Sequence, residues 1–301
     1  MRSWISQWLR YNAIFPLFSR LPAELGYKGA GWVSRRDFEQ NQTLRDAYIH
    51  GLSAAFPEYD HGQLVDSAQK YFAMMTREML DVYRIPRLSK HNVSQHVDLE
   101  GLELLQEAQK QGRGVIVVMG HYGRPIMLST VLGLVGEKLS ILTQGLDEEN
   151  QNLHPAEKAY LEFKIKRTID VSNGNCFMRG DGMRPLYRAL NAGEAVAILC
   201  DIYEPNSRRQ MLAPFRGGNL SIASGIPRAA ASTGARLIYG SVRDEGARVK
   251  VTLRELTDDP EIGFFDAVKE LEKDIEAAPW QWWKWPGYPH MWSEQASRDV
   301  A

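Results

Sequence analysis

The sequence has few cysteines, no long hydrophobic run and almost no net charge. Its two cysteines, Cys176 and Cys200, lie far apart without metal-ligand spacing, which argues against a disulfide framework or a zinc site. No stretch reaches the roughly 18 to 20 apolar residues of a membrane-spanning helix, and no signal-peptide pattern is present. A formal net charge of -1 gives no reason to expect nucleic acid as a partner. We therefore expect a cytoplasmic protein with no metal and no resident cofactor.

The 301 residues are 44% hydrophobic and 24% charged, enough to fill one large core. Apolar residues recur with helical spacing over 36–88, with a break at Phe56-Pro57-Glu58. Further along, the pattern predicts strands starting at Val115 and over 139–142, 195–200, 237–242 and 249–253, with helices over 102–109, 126–135, 183–191 and 221–232. This alternation predicts one α/β domain over 1–301, with a mixed central sheet flanked by helices. Residues 1–100 form its helical section and 101–301 its α/β section.

The segment from Gly114 to Ile126 has features of a catalytic site. A β-branched run breaks at Gly120 and delivers His121 to the end of a predicted strand, a common position for a catalytic base on an α/β scaffold. A histidine there can accept a proton near neutral pH. Gly120 and Gly123 leave room for a ligand near the backbone. The alternative is a histidine packed into a loop.

The N-terminal residues mix aromatic and aliphatic side chains with arginines, a composition suited to a membrane interface. They include Trp4, Ile5, Trp8, Leu9, Ile14, Phe15, Leu17, Phe18 and Leu21, with Arg2, Arg10 and Arg20 among them. A helix packed on the rest of the domain would have a similar composition. Both interpretations stay open at this point.

Five blocks in order resemble the bacterial lipid A late acyltransferases of the lysophospholipid acyltransferase superfamily. They are 52–58, ending in Phe-Pro-Glu; 114–123, an apolar strand followed by histidine; Asp201, closing the strand over 195–200; Ala213-Pro214-Phe215-Arg216-Gly217; and Pro279-Trp280-Gln281-Trp282-Trp283-Lys284-Trp285. The resemblance covers the whole chain.

The resemblance implies transfer of an acyl group from a carrier-protein or coenzyme A thioester, used as co-substrate, to a hydroxyl or amine of a lipid or other acceptor. It also implies a place on the cytoplasmic face of the inner membrane. In the family's His-x-x-x-x-Asp/Glu motif, histidine is the base and the carboxylate orients its ring. His121 matches the base, but the carboxylate position is Ile126.

Isoleucine cannot orient or stabilise an imidazolium, so three interpretations follow. In the first, a carboxylate from elsewhere replaces the missing one: Asp201 is the leading candidate because strand ends gather at one edge of a sheet, and Glu204, Asp181 and Glu148 are weaker. Alternatively, His121 acts alone on an amine, a better nucleophile than an alcohol, as in an aminoacyl or amide-forming relative. In the third interpretation, the chain is an inactive homologue that binds lipid or joins a complex.

Several residues near these blocks are candidates for substrate binding. Arg124, beside the base, has the planar fork that binds phosphate or carboxylate, and Arg208 and Arg209 could contact a carrier protein or a lipid phosphate. Gly123, Phe215 and Gly217 belong to the blocks that carry the resemblance, and backbone amides near Gly217 could stabilise an oxyanion. For Arg124 the alternative is a surface arginine at a helix start, and for Arg208 and Arg209 it is a solvated side chain.

Overall fold

The computed structural model describes residues 4–144, 154–205, 207 and 209–294. Its helices are α1 (Trp4–Leu9), α2 (Phe15–Arg20), α3 (Ala23–Gln40), α4 (Gln42–Ala55), α5 (His61–Arg84), α6 (Leu102–Lys110), α7 (Ile126–Leu134), α8 (Pro155–Ser172), α9 (Arg184–Asn191), α10 (Gly225–Thr233), α11 (Pro260–Ala277) and α12 (Tyr288–Met291). Its strands are β1 (Val97–Glu100), β2 (Val115–Met119), β3 (Leu139–Thr143), β4 (Asn173–Met178), β5 (Ala195–Leu199), β6 (Gln210–Phe215), β7 (Gly218–Ala223), β8 (Arg236–Glu245), β9 (Arg248–Glu255) and β10 (Trp292–Glu294).

The central sheet has seven strands in the order β1-β9-β8-β2-β5-β3-β4. Neighbouring strands are parallel except β8 and β9, which pair antiparallel. A second sheet of three antiparallel strands has the order β10-β7-β6. The predicted fold class, an α/β domain with a mixed central sheet and a helical N-terminal section, is confirmed.

Strand β2 lies at the middle of the sheet and is buried along its whole length. Because successive side chains of a strand point to opposite faces, Ile116 and Val118 enter one hydrophobic core while Val115, Val117 and Met119 enter the other. Burial on both faces explains why β2 is a continuous β-branched run.

Several predicted boundaries are wrong. The region predicted over 36–88 spans the end of α3 and all of α4 and α5, since Asn41 ends one helix and caps the next by accepting a hydrogen bond from Leu44 N. The helix predicted over 221–232 begins inside β7, where Ser221 and Ile222 pair with β6. Strands β4 and β6 and helix α8 escaped prediction because their apolar spacing is weak.

In the described part of the chain, no helix combines the length and the apolar character needed to cross a membrane. The first three helices nevertheless expose large apolar side chains to solvent. Those of Trp8, Leu17 and Trp32 are 44%, 56% and 59% exposed.

Candidate active site

His121 and Asp201 follow two adjacent parallel strands at the same edge of the central sheet. Strands β2 and β5 are in register, with Met119 beside Leu199, and His121 and Asp201 each lie two positions further on. The His121 Nδ1 atom is 2.7 Å from Asp201 Oδ1. Parallel strands thus bring together a histidine and a carboxylate that are 80 residues apart in sequence.

The Asp201 carboxylate is buried, with 1% of its surface exposed, and accepts three hydrogen bonds. Besides the ring contact, its Oδ2 atom accepts from the His121 backbone N–H and from Trp282 Nε1, each at 2.8 Å. Burial by itself would raise the pKa of Asp201. The charge and hydrogen bonds of His121, with a smaller contribution from Lys284, outweigh burial and lower this pKa from 3.8 to about 2.

An ionised Asp201 determines which tautomer the neutral His121 ring adopts. A carboxylate can only accept hydrogen bonds, so His121 Nδ1 must carry the proton that it donates to Asp201. The lone pair of the neutral ring is then on Nε2. This arrangement suits a general base, because Nε2 is ready to accept a proton and the carboxylate stabilises the imidazolium that results.

The segment over 279–285 holds the chain around His121 by backbone and indole hydrogen bonds. The Trp283 backbone N–H donates to the His121 carbonyl at 2.8 Å, and Trp283 Nε1 donates to the Gly123 carbonyl at 2.8 Å. The Gly123 N–H in turn donates to the Gln281 carbonyl at 2.9 Å. This part of the chain therefore fixes the backbone around His121 from outside the central sheet.

A cavity of about 350 Å³ opens beside the His121 ring. Apolar side chains form most of its wall, from β2, β3, β5, α7 and α8: Met119, Pro125, Ile126, Ile141, Leu142, Leu161, Ile165, Ala197, Ile198 and Leu199. Its ionisable wall residues, apart from His121, are Glu78 and Lys164, and Trp283 lies at the same wall. The cavity thus offers an apolar compartment with a histidine at its border.

Comparison with known proteins identifies the family to which the chain belongs. The family model of bacterial lipid A biosynthesis acyltransferases matches residues 2–285. The chain belongs to this acyltransferase family. A curated member from Haemophilus influenzae, named lipid A biosynthesis acyltransferase, is 21% identical to it over 273 residues, which cover 89% of this chain and 80% of that protein.

Within this acyltransferase, Ile126 occupies the position where the resemblance implies an acidic residue. It is the first residue of α7, is 5% exposed and lines the cavity. The carboxylate nearest to the His121 ring comes instead from the end of β5. Of the weaker candidates, Glu204 pairs with Arg179, Asp181 is exposed, and Glu148 lies outside the described residues.

Arg124 points into the protein interior, where its charge is already paired. The side chain is 1% exposed, its Nη1 atom donates to both carboxylate oxygens of Asp81 at 3.2 Å, and Nε lies 3.1 Å from Asp244 Oδ1. Its Nη2 atom donates to the Gly246 and Arg248 carbonyls. In this environment Arg124 links α5 to the β8–β9 hairpin, and its guanidinium is not exposed to a ligand.

The remaining predicted binding residues lie apart from the cavity wall. Gly123 has a φ of +62° and packs so closely that a Cβ atom would lie 1.6 Å from the Val242 carbonyl oxygen. Phe215 is buried with its ring centroid 5.6 Å from that of Trp282, and Gly217 forms the turn between β6 and β7. Arg209 is exposed in the connection from β5 to β6, and Arg208 lies outside the described residues.

Sequence reasoning missed the polar wall of the cavity, formed by Glu78 on α5 and Lys164 on α8. Glu78 follows Met74 and Met75 at helical spacing, so a charged residue stands on the buried side of the helix. That break in the apolar pattern was the available signal. Lys164 gave none, because the segment over 155–172 was not recognised as a helix.

Proposed function

We propose that this family member moves an acyl or aminoacyl group from a thioester to a hydroxyl or amine, with His121 as general base and Asp201 as the carboxylate that orients it. The observation that carries the proposal is the 2.7 Å contact between His121 Nδ1 and an ionised, buried Asp201. This contact supplies the support for the ring that Ile126 cannot.

The proposed reaction uses the free nitrogen of the ring twice. His121 Nε2 accepts the proton of the acceptor O–H or N–H while the acceptor's oxygen or nitrogen attacks the thioester carbonyl carbon. The tetrahedral intermediate then expels the thiolate, which recovers the proton from the imidazolium. One C–S bond breaks, one C–O or C–N bond forms, and the base returns to its starting state.

The cavity beside His121 suits the acyl chain of the donor. Its walls are mostly aliphatic, and each methylene transferred from water into such a site contributes about 0.8 kcal/mol. Acyl carrier protein and acyl-coenzyme A are the donors we propose, since both present a chain through a thioester. The acceptor we propose is a lipid or another molecule bearing a hydroxyl or amine.

We further propose that the protein binds peripherally to the cytoplasmic face of the inner membrane through its N-terminal helices. Among the described residues, five of the ten most exposed large apolar side chains lie between Trp8 and Trp32. Tryptophan favours the boundary between water and hydrocarbon, so Trp8 and Trp32 suit such contact.

The alternative function, an inactive homologue that binds lipid or joins a complex, would leave no reason to keep a buried carboxylate on the ring. His121 is not walled in by apolar side chains: its ring contacts Asp201 and is 23% exposed. This environment favours catalysis over the alternative.

The test is an intact-mass assay of acyl loss from carrier-protein and coenzyme A thioesters in the presence of membrane lipid extract. We expect acceptor-dependent loss with the wild-type protein and none with His121→Ala. His91→Ala serves as the matched control, since His91 is exposed in a turn far along the chain from the site. Equal, background-level loss from wild type and His121→Ala across the panel would favour the inactive homologue.

A further inference from the structure

The cavity wall contains a buried carboxylate that the proposed mechanism does not use. Glu78, on α5, is 1% exposed and lines the same cavity as His121. Its Oε1 atom pairs with Lys164 Nζ, whereas Oε2 is buried without a hydrogen-bond partner among the described residues. A charged acceptor atom left unsatisfied in the interior calls for a specific explanation, and a ligand in the cavity provides one.

The Glu78 carboxylate is connected to the backbone around His121 through Lys164 and Trp283. Lys164 Nζ lies 5.9 Å from the centre of the Trp283 ring, and Trp283 holds the His121 carbonyl by a backbone hydrogen bond. Glu78, Lys164 and Trp283 thus form one end of the cavity that His121 borders, which we call the polar end. The other polar wall residues, Ser129, Thr143, Gln144 and Thr168, are uncharged, so among the described residues Glu78 is the wall's one carboxylate.

We propose that Glu78 is a positioning residue for the acceptor: its free Oε2 atom accepts a hydrogen bond from an N–H or O–H of the acceptor other than the one whose proton passes to His121, and so directs the nucleophile toward His121. This inference rests on the acyl transfer proposed above. Glu78 takes no proton from the nucleophile in this reaction, because that proton goes to His121 Nε2. The subsite is specific for hydroxyl or amine groups and disfavours phosphate or carboxylate groups, which would face a like charge.

Three side-chain changes separate this role from a structural one. Glu78→Leu removes both oxygens, and Glu78→Gln keeps the shape and one neutral acceptor. Lys164→Met breaks the same ion pair but retains the carboxylate. The matched control is Asp66→Asn, which removes a carboxylate from a solvent-exposed lysine pair on the same helix, Asp66–Lys70.

The assay measures His121-dependent transfer from a fatty-acyl coenzyme A to vesicles of bacterial membrane lipid extract, varying donor and vesicles separately. We expect Glu78→Leu to raise the half-saturating vesicle concentration roughly 10- to 100-fold, the effect of one hydrogen bond to a charged group, and Glu78→Gln to raise it less. We expect Lys164→Met to change it less than Glu78→Leu does. The half-saturating donor concentration should move less than about threefold in all of them, and Asp66→Asn should match wild type.

The outcomes distinguish this inference from the function on which it rests. An unchanged vesicle dependence in Glu78→Leu, with transfer still lost in His121→Ala, would overturn the role of Glu78 and leave the acyltransferase intact. A shift in the donor dependence alone would overturn it too, since Glu78 would then hold the donor. Absence of His121-dependent transfer in wild type would refute both proposals. The product mass identifies the acceptor molecule, and acylation of either an amine or a hydroxyl agrees with the subsite.

Discussion

Replacing Asp201 by asparagine should reverse the tautomer of His121 without changing the shape of the site. Two N–H donors, from the His121 backbone and Trp282, point at Oδ2, and one points at Oδ1. An asparagine avoids two donor–donor clashes by placing its oxygen at the Oδ2 position, which turns its NH₂ group toward His121 Nδ1. Nδ1 must then accept, the ring proton moves to Nε2, and the base loses its lone pair at the reacting position.

The expected fall in kcat for Asp201→Asn comes from two losses. The imidazolium loses the charge of a carboxylate whose Oδ1 atom lies 2.7 Å from Nδ1, so its formation becomes less favourable. The wrong tautomer adds to it, as in other pairs of a histidine base with a carboxylate, so we expect kcat to fall by roughly 10³- to 10⁴-fold.

The assay compares kcat for acyl transfer in wild type, Asp201→Asn, His121→Ala and Asp181→Asn, with unfolding transitions recorded for each. Asp181→Asn is the matched control, since Asp181 is exposed in the 3-10 turn after β4. If Asp201→Asn stayed within about threefold of wild type while His121→Ala lost transfer, Asp201 would not orient the base, and His121 would act without a carboxylate.

Three further predictions concern stability. Gly123→Ala should lower the free energy of unfolding by more than about 3 kcal/mol, because the added Cβ would lie 1.6 Å from a carbonyl oxygen. Gly112→Ala, at a φ of +70° with open space around it, should lower it by only about 1–2 kcal/mol. Chemical denaturation measures both, and similar losses would contradict the steric argument. Arg124→Met should cost about 3–5 kcal/mol by leaving Asp81 buried without its cation, and an unfolding free energy within about 1 kcal/mol of wild type would contradict a structural ion pair. Because the folded pKa of Asp201 is lowered to about 2, this residue contributes about 2 kcal/mol of stability above about pH 4 that is lost as the pH falls toward 2; urea unfolding over that range should show a loss about 2 kcal/mol larger in wild type than in Asp201→Asn, and equal losses would contradict the lowered pKa.

The elements that could be predicted from sequence are those in which the order of apolar and polar residues indicates which side chains are buried. Strand β2 is buried on both faces, so its β-branched run was unmistakable, and the end of β5 was predictable for the same reason. Once both strands were assigned to a parallel sheet, a contact between His121 and Asp201 became a geometric expectation. The register between β2 and β5, which makes the two residues neighbours, depends on tertiary packing and could not be predicted from the sequence.

The elements that escaped prediction have their determinants elsewhere in the chain. Residues of β4 and β6 lie at sheet edges and are only partly buried, so their sequences do not alternate clearly. Arg124 resembled a ligand-binding residue because its neighbours in sequence are catalytic candidates. Its carboxylate partners, Asp81 and Asp244, lie 43 and 120 positions away, and no local pattern reveals that the charge is paired.

The hydrogen bond from Trp282 to Asp201 also bears on when this site can form during synthesis. Trp282 follows Asp201 by 81 residues, which a ribosome adds in roughly 4–16 s at about 5–20 residues per second. In that interval the nascent chain contains both members of the pair but lacks the indole donor and the backbone clamp on the His121 carbonyl. We therefore expect the histidine and its carboxylate to acquire their final geometry only after the tryptophan-rich segment has been synthesised and has packed against them.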